Sequence, residues 1–174
     1  MTEGQVVKIP VGVEVECRPG RTRWQATVWQ PVAITPPQEA LADWTLLHDS
    51  EGRQRFHAGN RPLEFHPSAA TLYKENLEAR QPSVWVVLRP GRGTDQGVGP
   101  RTDLMLHLVT ADPTVAHAYV DVGPDLVEAL SMPPGIAATL AAFVQRHYTP
   151  RTVWKRQRDR VDPEAMAARR EGGV

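Results

Sequence analysis

Residues 11–17, V-G-V-E-V-E-C, alternate without a break. Val11, Val13, Val15 and Cys17 fall on one side of an extended chain; Gly12, Glu14 and Glu16 fall on the other. A period of two cannot bury one face of a helix, so it predicts a half-buried strand. Arg18-Pro-Gly-Arg21 supplies a turn, and a second alternating run follows over 24–34. Trp24, Ala26, Val28, Val32 and Ile34 share one parity there, and Trp29 lies on the opposite, polar one. Pro31 interrupts that run, which predicts an edge strand or a bulge, because proline cannot donate to a ladder. Two alternating strands joined by a short turn constrain the chain to an antiparallel sheet before anything else is read.

The rest of the chain adds short elements. Residues 44–47 and 53–57 flank D-S-E-G and predict a hairpin. Leu63 and Phe65 alternate with Glu64 and His66 as a further short strand. Ser68 is a suitable N-cap for a helix to about Ala79, with Leu72, Tyr73, Asn76 and Leu77 facing inward. S-V-W-V-V-L, 83–88, has no polar alternation and predicts a central strand buried on both faces. Residues 89–101 hold four glycines and two prolines, a flexible loop from which a strand returns over 103–109. In T-A-D-P, Asp112 and Pro113 suit the N-cap and first position of a helix ending near Gly123. Residues 126–132 read as extended. Pro133-Pro134 opens a last helix, in which Ile136, Leu140, Phe143, Val144 and His147 keep helical spacing.

The predicted fold class is α+β. Six or seven short strands form an antiparallel sheet, one that could close in barrel-like fashion, covered by about three helices. With 174 residues and 41% hydrophobic content, residues 1–149 are enough for one domain with its own core. Residues 150–174 read as a basic C-terminal tail. That tail carries seven Lys/Arg against four Asp/Glu, a local +3 that leaves −3 on the body of a chain with zero formal net charge. D-P-E-A-M-A-A-R-R-E within it has a cap for a helix, but ten residues alone are marginal in water.

Chemistry is harder to find. The glycine-rich loop does not match G-x-x-x-x-G-K-[ST] or a helix-opening G-x-G-x-x-G, so phosphate cradling is not indicated. His48, His57, His66, His107, His117 and His147 show no ligand spacing, and no metal or cofactor is predicted. Glu14 and Glu16 are accounted for by a solvated outer face. Cys17 shares the parity of Val11, Val13 and Val15, which points its thiol inward; as the only cysteine it forms no disulfide within the chain. No catalytic residue is predicted. No secretory leader and no membrane-spanning run is visible in the chain, so the expected compartment is the cytoplasm.

The candidate contact element is Y-T-P-R-T-V-W-K-R-Q-R-D-R. Arg151, Lys155, Arg156, Arg158 and Arg160 surround Trp154, a pairing of residue types that dominates interface hot spots. Trp29 joins them on parity. Against this stands a tail that folds Trp154 back onto the body, or one that is simply solvated. Nucleic acid is not the expected partner, because the body is not basic and Asp159 and Asp162 interrupt the run.

Taken together, these landmarks resemble a bacterial family called domain of unknown function 3305. The resemblance rests on I-P-V-G-V-E-V-E, W-Q-A-T-V-W-Q-P-V-A-I and Y-K-E-N-L-E-A-R-Q-P-S-V-W-V-V-L-R, then V-T-A-D-P, A-Y-V-D-V-G, F-V-Q-R-H-Y and W-K-R-Q-R-D-R. It spans roughly residues 7 to 160. The family is met beside genes for molybdenum-dependent formate dehydrogenases, their iron–sulfur proteins and chaperones. It therefore implies a non-enzymatic accessory protein whose partner is a formate dehydrogenase subunit or its chaperone. The alternative it leaves open is a small-molecule or cofactor-binding enzyme, for example in molybdenum cofactor handling, with a site near residues 89–118. Arg92, Arg101, His107 and His117 are the first candidates for that site. Asp112 and Val115 stand where the resemblance leads one to expect serine and glutamate. That departure argues against carrying a family ligand role over to residues 92–118.

Overall fold

The computed structural model describes residues 5–22, 25–91 and 104–150. Among the described residues, seven strands and three α-helices confirm the α+β class. β1 (Val7–Thr22), β2 (Gln25–Thr35), β3 (Thr45–Ser50) and β4 (Arg53–Phe65) form one antiparallel sheet in the order β2-β1-β4-β3. β5 (Ser83–Pro90), β6 (Leu104–Thr110) and β7 (Leu126–Ser131) form a second, in the order β6-β5-β7. The helices are α1 (Ala70–Glu78), α2 (Pro113–Val122) and α3 (Pro134–His147).

The alternation of residues 11–17 does what its chemistry requires. Val11, Val13, Val15 and Cys17 are buried, while Glu14 and Glu16 stand on the outer face opposite Arg55 and Arg53. Burial pushes the Cys17 thiol pKa up, as expected of an inward side chain. Pro31 sits on the edge strand, and a bulge accompanies it: Glu14 pairs Ala33 but Val15 pairs Pro31, leaving Val32 without a partner. The hairpin at Glu51-Gly52 is a two-residue loop with positive φ at both positions (50° and 79°), which matches the twist of the flanking strands.

Three expectations need correction. Arg18-Pro-Gly-Arg21 is not a turn: it lies within β1, where Arg18 pairs Val28 and Pro19 pairs Thr27. Leu63 and Phe65 are not a separate strand; they continue β4, which passes through a bulge at Ala58, where Val13 pairs Gly59 but Glu14 pairs His57. The bulge restores the inward parity of Leu63 and Phe65, so a single strand serves both halves. Ser68 does not cap a helix: it lies inside a 3-10 turn, Pro67–Ala69, that leads into α1 without a side-chain cap bond. The antiparallel α+β architecture is as expected, and of its two forms the structure takes the one without a closed barrel. Among the described residues two sheets meet at two seams, β4 against β6 and β2 against β7, without ladder pairing across either.

The β4–β6 seam follows from strand lengths. β3 pairs only with the Arg53–His57 half of β4, so the far half has no ladder partner on that side. β6 comes alongside there, and Arg61 Nε donates to the Leu106 carbonyl at 3.0 Å across the gap. Both sheets share one core, in which Val13, Val15, Leu63 and Phe65 meet Val84, Val86, Leu88 and Leu106. α3 closes it with Ile136, Leu140 and Phe143, whose ring lies 5.7 Å from Phe65 and 6.1 Å from Tyr73 of α1. β5 is central and carries buried Val84, Val86, Val87 and Leu88, the absence of alternation explained by cover on both faces.

Asn76 shows why a polar residue sat on an inward parity. Its Nδ2 donates to the carbonyls of Ser83 and Ala111, each at 2.9 Å, and its Oδ1 accepts from Ser83 N–H at 3.0 Å. One buried amide thus ties the end of α1 to the start of β5 and the end of β6. Among the described residues no helix is long and apolar enough to cross a membrane.

Candidate functional site

Of the residues the sequence singles out for contact, Arg151, Trp154, Lys155, Arg156, Arg158 and Arg160 lie outside the described residues. Trp29 is described. The bulge at Val32 reverses the parity of everything before it, so Trp29 pairs Cys17 and turns toward the core. It is half-buried, 5.7 Å edge-on from Trp44 and 5.6 Å from Phe56. Arg92 and Arg101 also lie outside the described residues. His117 is exposed on α2, and His107 packs edge-on against Tyr119 at 5.4 Å.

α2 begins as the sequence requires, with the Asp112 side chain accepting from the backbone N–H groups of Thr114 and Val115 and Pro113 at the first turn. Its packing is unusual for so apolar a helix, because Ala116 is its one buried residue. Val115, Val120 and Val122 are 38%, 57% and 85% exposed, and Met105 on neighbouring β6 is 47% exposed. The helix is instead pinned by polar contacts on its inner side. Arg89 lies over the Tyr119 ring at 5.5 Å and grips Asp125 through two bonds, Nε to Oδ1 at 3.0 Å and Nη2 to Oδ2 at 2.8 Å. The Arg89 hydrogen bond holds the Asp125 carboxyl below its ordinary value. This fork fixes the turn between α2 and β7 and leaves the outer valines facing water.

A cleft of about 540 Å³ lies over the β4–β6 seam. Pro62, Leu108, Val109 and Val115 supply apolar wall; Arg61, Glu64, His66, His107, Thr110 and Asp112 supply polar groups. Such a volume with a few convergent polar groups is the size of a small-molecule site. Tyr73 closes the floor at 1% exposure, its hydroxyl accepting from His66 N–H at 3.2 Å and donating to the Glu64 carbonyl at 3.4 Å. Burial pushes the Tyr73 hydroxyl pKa up, and the carboxylates of Asp112 and Glu64 push it further. Glu64 is held below its ordinary value by Lys8, 2.7 Å away, and His66 Nε2 lies 3.2 Å from it.

Asp112 stands apart from this network. Its Oδ1 carries the whole cap, accepting from Thr114 N–H at 2.8 Å, Thr114 Oγ1 at 2.6 Å and Val115 N–H at 3.4 Å. Its Oδ2 makes no hydrogen bond and no ion pair among the described residues, although the residue is only 8% exposed. The sequence reads Asp112 as a cap and no more. Nothing local distinguishes a cap with one idle oxygen from a cap with two busy ones. Arg61, His66 and Tyr73 reach the cleft only because β4 bulges and β6 runs beside it.

Among the described residues no three His, Cys, Asp or Glu side chains gather as metal ligands. The family model described as protein of unknown function (DUF3305) matches residues 10–158. The chain belongs to the DUF3305 family. That match takes in both sheets and all three helices of the DUF3305 fold seen here, together with the first part of the basic run. No curated protein and no solved structure matches this DUF3305 chain.

Proposed function

We propose that this protein is a non-enzymatic, cytoplasmic accessory factor of a molybdenum-dependent formate dehydrogenase system. It docks on a protein partner, a formate dehydrogenase subunit or its chaperone, and serves assembly, maturation or a small-subunit role. The observation that carries the docking reading is α2: an apolar helix with one buried residue, presenting Val115, Val120 and Val122 to water beside Met105. A monomeric body has no use for that face, and a partner's apolar surface would bury it. The basic segment around Trp154 supplies the second contact, with arginines that match carboxylates in bidentate fashion and a tryptophan that contributes buried area. The formate dehydrogenase assignment follows from the family resemblance.

The test is co-purification from the native host under mild conditions. Wild-type protein brings down a formate dehydrogenase subunit or chaperone. Deletion of residues 150–174, and separately the pair Val120→Asp and Val122→Asp, each abolish the capture while leaving the thermal melt intact. Both substitutions fall on exposed positions, so the fold tolerates them. Undiminished capture by both variants refutes the docking surfaces, and capture of unrelated proteins alone refutes the assignment.

A further inference from the structure

Among the described residues Asp112 Oδ2 reaches the cleft with no hydrogen-bond or ion-pair partner. The residue is 8% exposed, yet Oδ2 is not sealed: the buried side-chain atoms without a partner belong to His57, and Asp112 lines the cleft. Here none of the ion pairs among the described residues includes it. The cations that line the same cleft are otherwise engaged: Arg61 bonds the carbonyls of Leu106 and Asn60, and His66 faces Glu64. Capping does not require a second carboxylate oxygen, because serine and asparagine cap about as well as aspartate. The adjoining wall, Leu108, Val109 and Val115, is apolar.

We propose that the cleft over the β4–β6 seam binds a small organic cation with an apolar body, an amine or amidine whose N–H group bonds Asp112 Oδ2. Because Oδ1 is fully committed to the helix cap, the ligand engages one oxygen and not a bidentate pair. Its apolar body lies against Leu108 and Val115, and the cleft volume of about 540 Å³ accommodates one aromatic ring with its substituent. The inference is independent of the docking role and of any family ligand, since it rests on the geometry of this chain's own Asp112.

The experiment titrates benzamidine, its neutral isostere benzamide, and benzoate into the 15N-labelled full chain. Benzamidine shifts the amide signals of Thr114 and Val115 in a saturable way. Benzamide binds at least about tenfold more weakly, the minimum expected for losing one charged hydrogen bond. Asp112→Asn retains a capping side chain and also loses at least about tenfold in benzamidine affinity. Benzamidine that produces no saturable shift overturns the proposal. So does benzoate binding at these amides as tightly as benzamidine, which would place the anchor at Arg61 or His107. Should Asp112→Asn not fold, the three-ligand comparison on the wild-type chain decides alone.

Discussion

His57 lies in the middle of β4, between Glu14 of β1 and Thr45 of β3 in register, and is fully buried. Neither ring nitrogen has a hydrogen-bond partner. A neutral imidazole carries one donor and one acceptor, and each costs about 1–3 kcal/mol when buried unpaired. Replacing the ring by a branched hydrocarbon of similar size removes both penalties. His57→Leu regains about 2–6 kcal/mol from that source, and an imperfect shape returns about 1–3 kcal/mol of it as packing strain. The expected net is a stabilisation on the order of 1–3 kcal/mol. Urea denaturation monitored by tryptophan fluorescence measures it as a raised midpoint with unchanged m-value. His57→Asn, which keeps polar atoms and loses volume, serves as the control and is expected to destabilise. If His57→Leu lowers stability by more than about 1 kcal/mol at unchanged m, the imidazole is satisfied in solution and the reasoning is wrong.

Two further perturbations test what holds the sheets together. Asn76→Ala removes three hydrogen bonds and leaves Ser83 N–H, Ser83 C=O and Ala111 C=O unpaired at a buried junction. The expected loss is about 2–4 kcal/mol by equilibrium denaturation, and a loss below about 0.5 kcal/mol would show that water replaces the amide. Asp125→Asn tests the Arg89 fork through pH. The Asp125 pKa is lowered on folding by the Arg89 hydrogen bond, so its contribution is fully present above the ordinary value of about 4. That contribution is lost as pH falls through the lowered folded value. The variant is therefore less stable than wild type at pH 7, and the gap narrows in denaturation curves taken progressively below pH 4. Parallel curves for the two proteins across that range would contradict the fork's role.

Strict alternation over 11–17 determined which face of β1 is buried, because side chains alternate on any extended chain regardless of its neighbours. Asp112-Pro113 determined where α2 starts, since a cap bond closes within three residues. The apolar run 83–88 likewise declared a central strand, because no other position satisfies water-avoiding side chains on both faces. Each of these is decided within a few residues of chain. Pro31 marked the neighbourhood of the Val32 bulge, but tertiary structure decided that it forms there, and alone decided the one at Ala58, because an extra residue exists only relative to a partner strand's register. Those bulges turned Trp29 inward and kept Leu63 and Phe65 on one strand with Phe56. The cleft also belongs to tertiary structure: Arg61, Tyr73 and Asp112 are far apart in sequence, and only the half-paired length of β4 makes room for β6 beside it. The second oxygen of Asp112 is the extreme case, since its lack of a partner among the described residues is defined by which donors the fold places beside it.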